Sequence, residues 1–194
     1  MKTTPLNPIQ QLRAGAIGVL ATDTLYGLVA CALNQTAVQR VYQVKGRAPG
    51  KPCIILIPDI SDLIKFGVHL TDHATSQLVS TLWPGPVSIV FPCDQIDFEY
   101  LHRGTATLAF RLPADEELRA LLRATGPLIA PSANPEGQPP AKTIEEAIGY
   151  FGERVDFYLD SGLRTSEPST LVEIQNGKVV VLRQGLATIP KEVR

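Results

Sequence analysis

Short apolar runs alternate along the chain with segments in which apolar residues recur at helical spacing. The runs begin at Ala16, Cys53, Val87, Thr107 and Leu128. Such runs are typical of strands that are buried on both faces of a sheet. They predict an α/β fold in which most strands lie in the interior.

The segments between these runs carry helix start and stop signals. Asn7 is a predicted cap for a helix over residues 7–15, and residues 36–46 predict a second helix that ends at a glycine. Thr143 and Glu146 have the spacing of a capping box. Further helices are predicted over residues 71–83, 114–126 and 143–152.

A hairpin closes the chain. Asn176 and Gly177 lie between two apolar runs, and this pair is the strongest short signal for a tight hairpin turn. The alternation followed by a hairpin predicts a single α/β domain over residues 1–194, with a twisted mixed sheet, parallel and antiparallel, flanked by helices. Residues 92–104, PCDQIDFEYLHRG, are expected to form a long loop.

Composition narrows the kinds of partner. The chain has 194 residues and a net charge of −1, so a nucleotide or nucleic acid must be bound by a local cluster of cations.

Few, widely spaced cysteines in apolar surroundings predict buried free thiols in a reducing compartment. Neither a signal sequence nor a membrane span is expected, which favours the cytoplasm. No histidine has metal-ligand spacing, and no nucleophile is paired with a base.

One local cluster of cations lies in the turn KGRAPGKP, which carries Lys45, Arg47 and Lys51. It is not a phosphate-binding P-loop, because the glycine spacing is too short, Pro52 replaces the hydroxyl residue, and the turn leads from a helix into a strand. Anion binding by the cations and a favourable interaction with the helix dipole remain equally open.

Polar side chains also follow two of the buried runs. Thr22, Asp23 and Thr24 follow the first run, and Ser132 and Asn134 follow a later one. Open α/β sheets bind ligands at such strand ends. The alternative is that the hydroxyls only form local turns or helix caps.

Two arginines lie within apolar strands. Arg111 and Arg183 each need a carboxylate or phosphate partner if they are buried, or else they face solvent. Hydroxyls, an amide and cations at strand ends favour binding of a nucleotide and a small acid over covalent catalysis.

Taken in order, seven segments resemble the motifs of the YrdC family, the L-threonylcarbamoyl-adenylate synthases. They lie between residues 21 and 185 and read ATDTLYGL, KGRAPGKPC, WPGP, AFRLP, SANPEG, STLVE and RQG. The resemblance implies a YrdC-like fold with a concave basic ligand groove. It also implies that threonine, bicarbonate and ATP with Mg²⁺ are converted to threonylcarbamoyl-AMP and pyrophosphate. No metal ligand from the protein is implied, since ATP mainly holds the Mg²⁺.

The resemblance also implies roles for individual residues. Lys45 and Arg47 would be catalytic. Threonine would be bound by Thr24, Arg111 and Ala130, and ATP by Lys45, Arg47, Lys51, Thr107, Ser132, Asn134 and Arg183. A separate transferase would then move the threonylcarbamoyl group to tRNA.

Some positions depart from the family pattern. Ala21 and Ala48 replace prolines, Leu56 stands where many members have a histidine, and Pro140 where many have a hydroxyl residue. The chain resembles the short form of the family, without the extra C-terminal domain. Two other functions remain possible, an RNA-binding module and a related enzyme that acts on another amine or carbamoyl donor.

Overall fold

The computed structural model describes residues 7–193. The six helices of this part are α1 Pro8–Arg13, α2 Gln35–Lys45, α3 His73–Leu82, α4 Glu99–His102, α5 Glu116–Thr125 and α6 Ile144–Phe151. Its nine strands are β1 Gly18–Ala21, β2 Tyr26–Cys31, β3 Ile54–Leu56, β4 Val87–Pro92, β5 Thr107–Arg111, β6 Leu128–Ile129, β7 Phe157–Tyr158, β8 Thr170–Gln175 and β9 Lys178–Arg183. Short 3-10 turns lie at Ile60–Phe66, Ile96–Phe98, Gly152–Arg154 and Lys191–Val193.

These strands form one mixed sheet in the order β7-β1-β2-β6-β3-β5-β4-β8-β9. The pairs β1/β7, β3/β5 and β4/β8 are parallel, and the other neighbours are antiparallel. The predicted α/β fold with a mixed sheet is therefore confirmed. The sequence predicted antiparallel pairing at the end of the chain. In the structure the antiparallel pairs are instead spread across the sheet.

Two elements differ from the sequence prediction. β2 had not been predicted, because its first residues belong to the polar stretch that was interpreted as a loop. It forms an antiparallel pair with β1 through a turn at residues 22–25. The long loop predicted over residues 92–104 contains a 3-10 turn and the single turn of α4.

The sheet is covered on both faces, as the apolar runs predict. A first cluster lies on one face with apolar residues of α2, α3 and α6. A second cluster lies on the other face with Leu12 of α1 and Leu118 and Leu122 of α5. Ile55 belongs to the first cluster and Leu56 to the second, so alternate residues of one strand are buried in opposite layers.

The local signals are largely confirmed. Gly46 ends α2 with φ 64°, and the hairpin turn has φ 52° at Asn176 and 71° at Gly177, the left-handed pair that a tight hairpin needs. The capping box at Thr143 is only half formed. Thr143 accepts from the Glu146 N–H, whereas the Glu146 carboxylate accepts from the Lys142 N–H.

The three cysteines are free thiols; Cys53 and Cys93 are buried and Cys31 is partly buried. His102 is 7% exposed, and its Nδ1 accepts from the Gly104 N–H. Over residues 7–193, no helix is long and apolar enough to cross a membrane.

Gly18→Ala is expected to lower the free energy of unfolding by about 1–3 kcal/mol. A Cβ at Gly18 would overlap the ring of Phe157, which is buried in the second cluster. Gly149→Ala in α6 is the matched control, because an added Cβ there has nothing within 4 Å apart from its chain neighbours and the backbone of its own helix. The control is expected to gain up to about 1 kcal/mol from helix propensity. Urea unfolding measures the stability of both variants. If Gly18→Ala were as stable as Gly149→Ala, close packing of Gly18 against Phe157 would be contradicted.

Candidate functional site

A cleft lies on the sheet face of the second cluster, because Ile54 and Ala130 line the cleft and also pack against that cluster. Its lining includes six of the residues predicted from sequence, Thr24, Arg47, Arg111, Ala130, Ser132 and Arg183. The cleft encloses about 590 Å³ when the open solvent at its mouth is included.

Sheet order brings these residues together. β2, β6, β3 and β5 are consecutive neighbours, and β3 and β5 pair in parallel with Leu56 opposite Arg111. An isolated bridge joins Gly27 to Ser132. Gly27 lines the cleft without a side chain, and an added Cβ would lie 3.3 Å from Thr22 Cγ2 and 3.5 Å from the Ala130 Cβ.

The turn between β1 and β2 is built by Thr22. Its hydroxyl donates to the Leu25 carbonyl at 2.8 Å and accepts from the Thr24 N–H at 3.2 Å. Thr22 therefore forms the local turn that the alternative interpretation expected, and it also lines the cleft. The Thr24 hydroxyl lies 3.1 Å from that of Thr22, and both residues line the cleft.

Arg111 has an internal partner. Its Nη2 lies 2.9 Å from Asp23 Oδ1, and the two side chains are 5% and 9% exposed. The same Nη2 donates to the Thr22 hydroxyl at 3.3 Å. The sequence predicted that a buried arginine here needs an anion, and Asp23 supplies it.

The pair is buried at an electrostatic cost. Burial raises the pKa of Asp23, and the charge of Arg111 opposes that shift. Burial likewise lowers the pKa of Arg111, against the charge of Asp23. The Asp23 oxygens and Arg111 Nε are buried without a well-formed hydrogen bond, so charge attraction is the main interaction that holds the pair.

Lys45 ties α2 to the loop after β6. Its ammonium donates to the Ser132 carbonyl at 2.6 Å, the Asn134 carbonyl at 2.7 Å and Asn134 Oδ1 at 3.0 Å. These acceptors use all three of its donors. Burial, and then the charge of Arg47, lower the pKa of Lys45 to about 8.

Asn134 belongs to the same network. Its Oδ1 also accepts from the Ser132 hydroxyl at 2.6 Å, and its amide donates to the Pro135 and Gln138 carbonyls. Lys45 and Asn134 therefore lie behind the cleft wall and hold Ser132 in position.

Arg47 is the cation of the KGRAPGKP turn that faces the cleft. Its Nε donates to the Lys51 carbonyl and its Nη2 to the Pro52 carbonyl, both at 2.9 Å. The Tyr42 hydroxyl donates to the same Lys51 carbonyl at 2.8 Å. Two backbone carbonyls of the turn therefore hold the guanidinium in place. The turn itself is closed by the Ala48 carbonyl, which accepts from the Lys51 N–H at 3.1 Å.

Arg183 completes the set of cations. It lies at the end of β9, and its Nη2 donates to the Ser169 carbonyl at 2.9 Å. Burial lowers the pKa of Arg183, and the charge of Arg47 lowers it further. Arg47, Arg111 and Arg183 line one cleft, and only Arg111 among them has a buried carboxylate partner.

Besides Lys45 and Asn134, two more of the predicted residues lie outside the cleft lining. Lys51 is exposed and pairs with Glu136 at 2.7 Å. Thr107 lies on the same face of β5 as Arg111, four residues away, which corresponds to about 13 Å along a strand. Leu56 is fully buried in the second cluster, so the residue that replaces the expected histidine does not line the cleft.

Pro168 and Ser169 were not identified from the sequence as site residues. Both line the cleft, and Ser169 is held by a 2.8 Å hydrogen bond to the Ser88 hydroxyl. Ser169 begins the STLVE segment, so the motif was a signal for it. The cleft lining contains no carboxylate, and residues 7–193 contain no group of three or more potential metal-ligating side chains.

Comparison with known proteins gives a consistent match. The sequence model of the Sua5/YciO/YrdC family, described as "Telomere recombination", matches residues 10–185. A threonylcarbamoyl-AMP synthase of Pyrococcus abyssi is 31% identical over 90% of this chain, which spans 52% of that protein. A threonylcarbamoyl-AMP synthase of Idiomarina loihiensis is 33% identical over 84% of this chain and 90% of its own length.

A solved structure agrees with these relatives. The crystal structure of P. abyssi Sua5 complexed with L-threonine has a TM-score of 0.82 and 30% identity, and covers 91% of this chain. This chain spans about half, 52%, of that protein. With the family model matching most of its length and its fold shared with a solved member, the chain belongs to the Sua5/YciO/YrdC family.

Proposed function

We propose that this chain is an L-threonylcarbamoyl-AMP synthase, a nucleotidyltransferase that acts on L-threonine, bicarbonate and ATP. The observation that carries the proposal is the single cleft that unites Thr24, Arg111 and Ala130 with Arg47, Ser132 and Arg183. The names of the two relatives and the threonine complex support it.

Threonine would lie on the floor of the cleft. Arg111 would receive its carboxylate, because a guanidinium presents several donors and Asp23 engages only one of its ends. The Thr24 hydroxyl and the Ala130 backbone would contact the rest of the amino acid. The small residues Gly27 and Ala130 leave the space that this requires.

ATP would extend from this floor towards the KGRAPGKP turn. Arg47 and Arg183 would face its phosphates and Ser132 would donate to them, with Lys45 and Asn134 as the residues that position Ser132. Lys51 at the rim and Thr107 further along the face of β5 would contact the outer parts of the nucleotide. We propose that this arginine-lined cleft is the basic ligand groove expected from the sequence.

The chemistry needs no protein nucleophile. The neutral threonine amine attacks CO2 and loses a proton to bicarbonate or water, which gives a carbamate. A carbamate oxygen then attacks the α-phosphorus, and the bond to the β-phosphate breaks with release of pyrophosphate. The protein positions the reactants and offsets negative charge with Arg47, Arg111 and Arg183.

Mg²⁺ would enter with ATP as part of the substrate. The absence of carboxylates from the cleft lining means that the nucleotide phosphates would supply most of its ligands. The product would pass to a transferase that modifies tRNA, and tRNA would be the final acceptor of the threonylcarbamoyl group.

Purified protein with threonine, bicarbonate, ATP and Mg²⁺ is expected to release pyrophosphate, with threonylcarbamoyl-AMP identified by mass spectrometry. Omission of threonine should stop the release, and serine and other amines form the comparison panel. Pyrophosphate release that does not depend on threonine, or depends on a different amine, would contradict the proposal. Salt-dependent RNA binding without any turnover would instead favour an RNA-binding module.

A further inference from the structure

Glu136 connects the loop after β6 to the KGRAPGKP turn that carries Arg47. Its Oε1 lies 2.7 Å from Lys51 Nζ, and its Oε2 lies 3.8 Å from Arg47 Nη1. Its backbone N–H donates to the Lys45 carbonyl at 2.8 Å. One carboxylate is therefore anchored beside Arg47, which the proposed function places against the ATP phosphates, and beside Lys51, which it places against the outer part of the nucleotide.

This carboxylate is charged and can reach solvent. The hydrogen bond from Lys51 lowers the pKa of Glu136, so the side chain is ionised at neutral pH. The Glu136 side chain is 32% exposed. Within residues 7–193, no other carboxylate is ion-paired with Arg47 or Lys51.

We propose that Glu136 is a specificity-determining residue that selects the magnesium complex of ATP over the free nucleotide. The inference rests on the proposed function, because it requires a triphosphate beside Arg47. Free ATP carries about four negative charges and its magnesium complex about two, so a fixed carboxylate beside the phosphates repels the free form more strongly.

Glu136 and the nucleotide phosphates also compete for the same cations, and this competition again favours the magnesium complex. Without nucleotide, Glu136 partly neutralises Arg47 and Lys51. A phosphate group must displace that interaction and tolerate the carboxylate nearby. Mg²⁺ reduces this repulsion by neutralising phosphate charge before the nucleotide reaches the cleft.

The test measures binding of a non-hydrolysable ATP analogue by calorimetry, once with Mg²⁺ and once with EDTA. Wild type is expected to bind the magnesium complex more tightly. Glu136→Gln keeps the shape of the side chain and removes its charge, so it should tighten binding of the free analogue. The ratio of the dissociation constant in EDTA to that in Mg²⁺ should therefore fall about tenfold. Glu136→Asp should keep the wild-type preference.

Glu153→Gln is the matched control. Glu153 is exposed in the 3-10 turn after α6, lies outside the cleft lining, and gives the same change in net charge. It should behave as wild type in both titrations, which separates a local effect of Glu136 from an effect of total charge.

The outcomes separate this inference from the proposed function. If wild type binds the analogue in neither condition, the proposed function fails and the inference with it. If wild type binds but Glu136→Gln leaves the ratio unchanged, or weakens both forms equally, the inference alone is overturned. A selective loss of affinity for the magnesium complex would also overturn it, because Glu136 would then be a metal ligand.

Discussion

Arg111→Met is expected to lower the free energy of unfolding by about 3–5 kcal/mol. The substitution leaves the Asp23 carboxylate buried without its cation. Urea denaturation at neutral pH measures the loss. Replacing both members of a buried pair with uncharged groups costs less than removing one, so the Asp23→Asn/Arg111→Met double variant should be more stable than the single variant.

The same variant should depend on pH in a defined direction. The pKa of Asp23 is already raised in the folded protein, so its contribution to stability falls as pH rises from its unfolded to its folded pKa. Without Arg111 the folded pKa rises further, because the opposing charge is lost. The stability difference from wild type should therefore shrink as pH falls and Asp23 binds a proton. A difference that is constant from acidic to neutral pH would show that the pair is not the cause.

Arg47→Ala is expected to reduce threonine-dependent pyrophosphate release by about 100-fold or more. Arg47 is the cation of its turn that lines the cleft, and the alanine variant removes it while Lys51, outside the lining, keeps its pair with Glu136. Steady-state pyrophosphate assays measure the loss.

Arg47→Lys and Arg13→Ala are the comparison variants for this prediction. The lysine keeps the charge but cannot donate to the Lys51 and Pro52 carbonyls with the same fork, so an intermediate activity is expected. Arg13 is exposed at the end of α1, away from the cleft lining, and its variant should keep wild-type activity. Full activity of Arg47→Ala would refute the assigned role.

Much of the fold followed from local patterns. The caps at Asn7 and Thr143, the end of α2 at Gly46 and the hairpin at Asn176 all depend on residues a few positions apart. β2 was missed for a local reason too. Its turn at residues 22–25 lacks a hairpin signal and is closed by Thr22, whose side chain replaces the usual turn chemistry.

The candidate site was predicted in part. The motifs selected Thr24, Arg47 and Arg111 among the residues that meet in the cleft. They also selected Lys45 and Asn134, whose polar groups the structure shows to be engaged with the protein itself. A motif identifies which side chains are near a site. Whether the donors of such a side chain are already used within the protein depends on acceptors from segments that are distant in sequence.

Patterns in the sequence are enough to predict the alternation of strands and helices, the burial of the strands on both faces, and the need of Arg111 for an anion. That this anion is Asp23, and that Glu136 lies between Lys51 and Arg47, becomes known from the folded chain alone. Periodicity, caps and turns depend on near neighbours in the chain. An ion pair between residues far apart in sequence instead depends on the order of the strands, which sets the elements that meet.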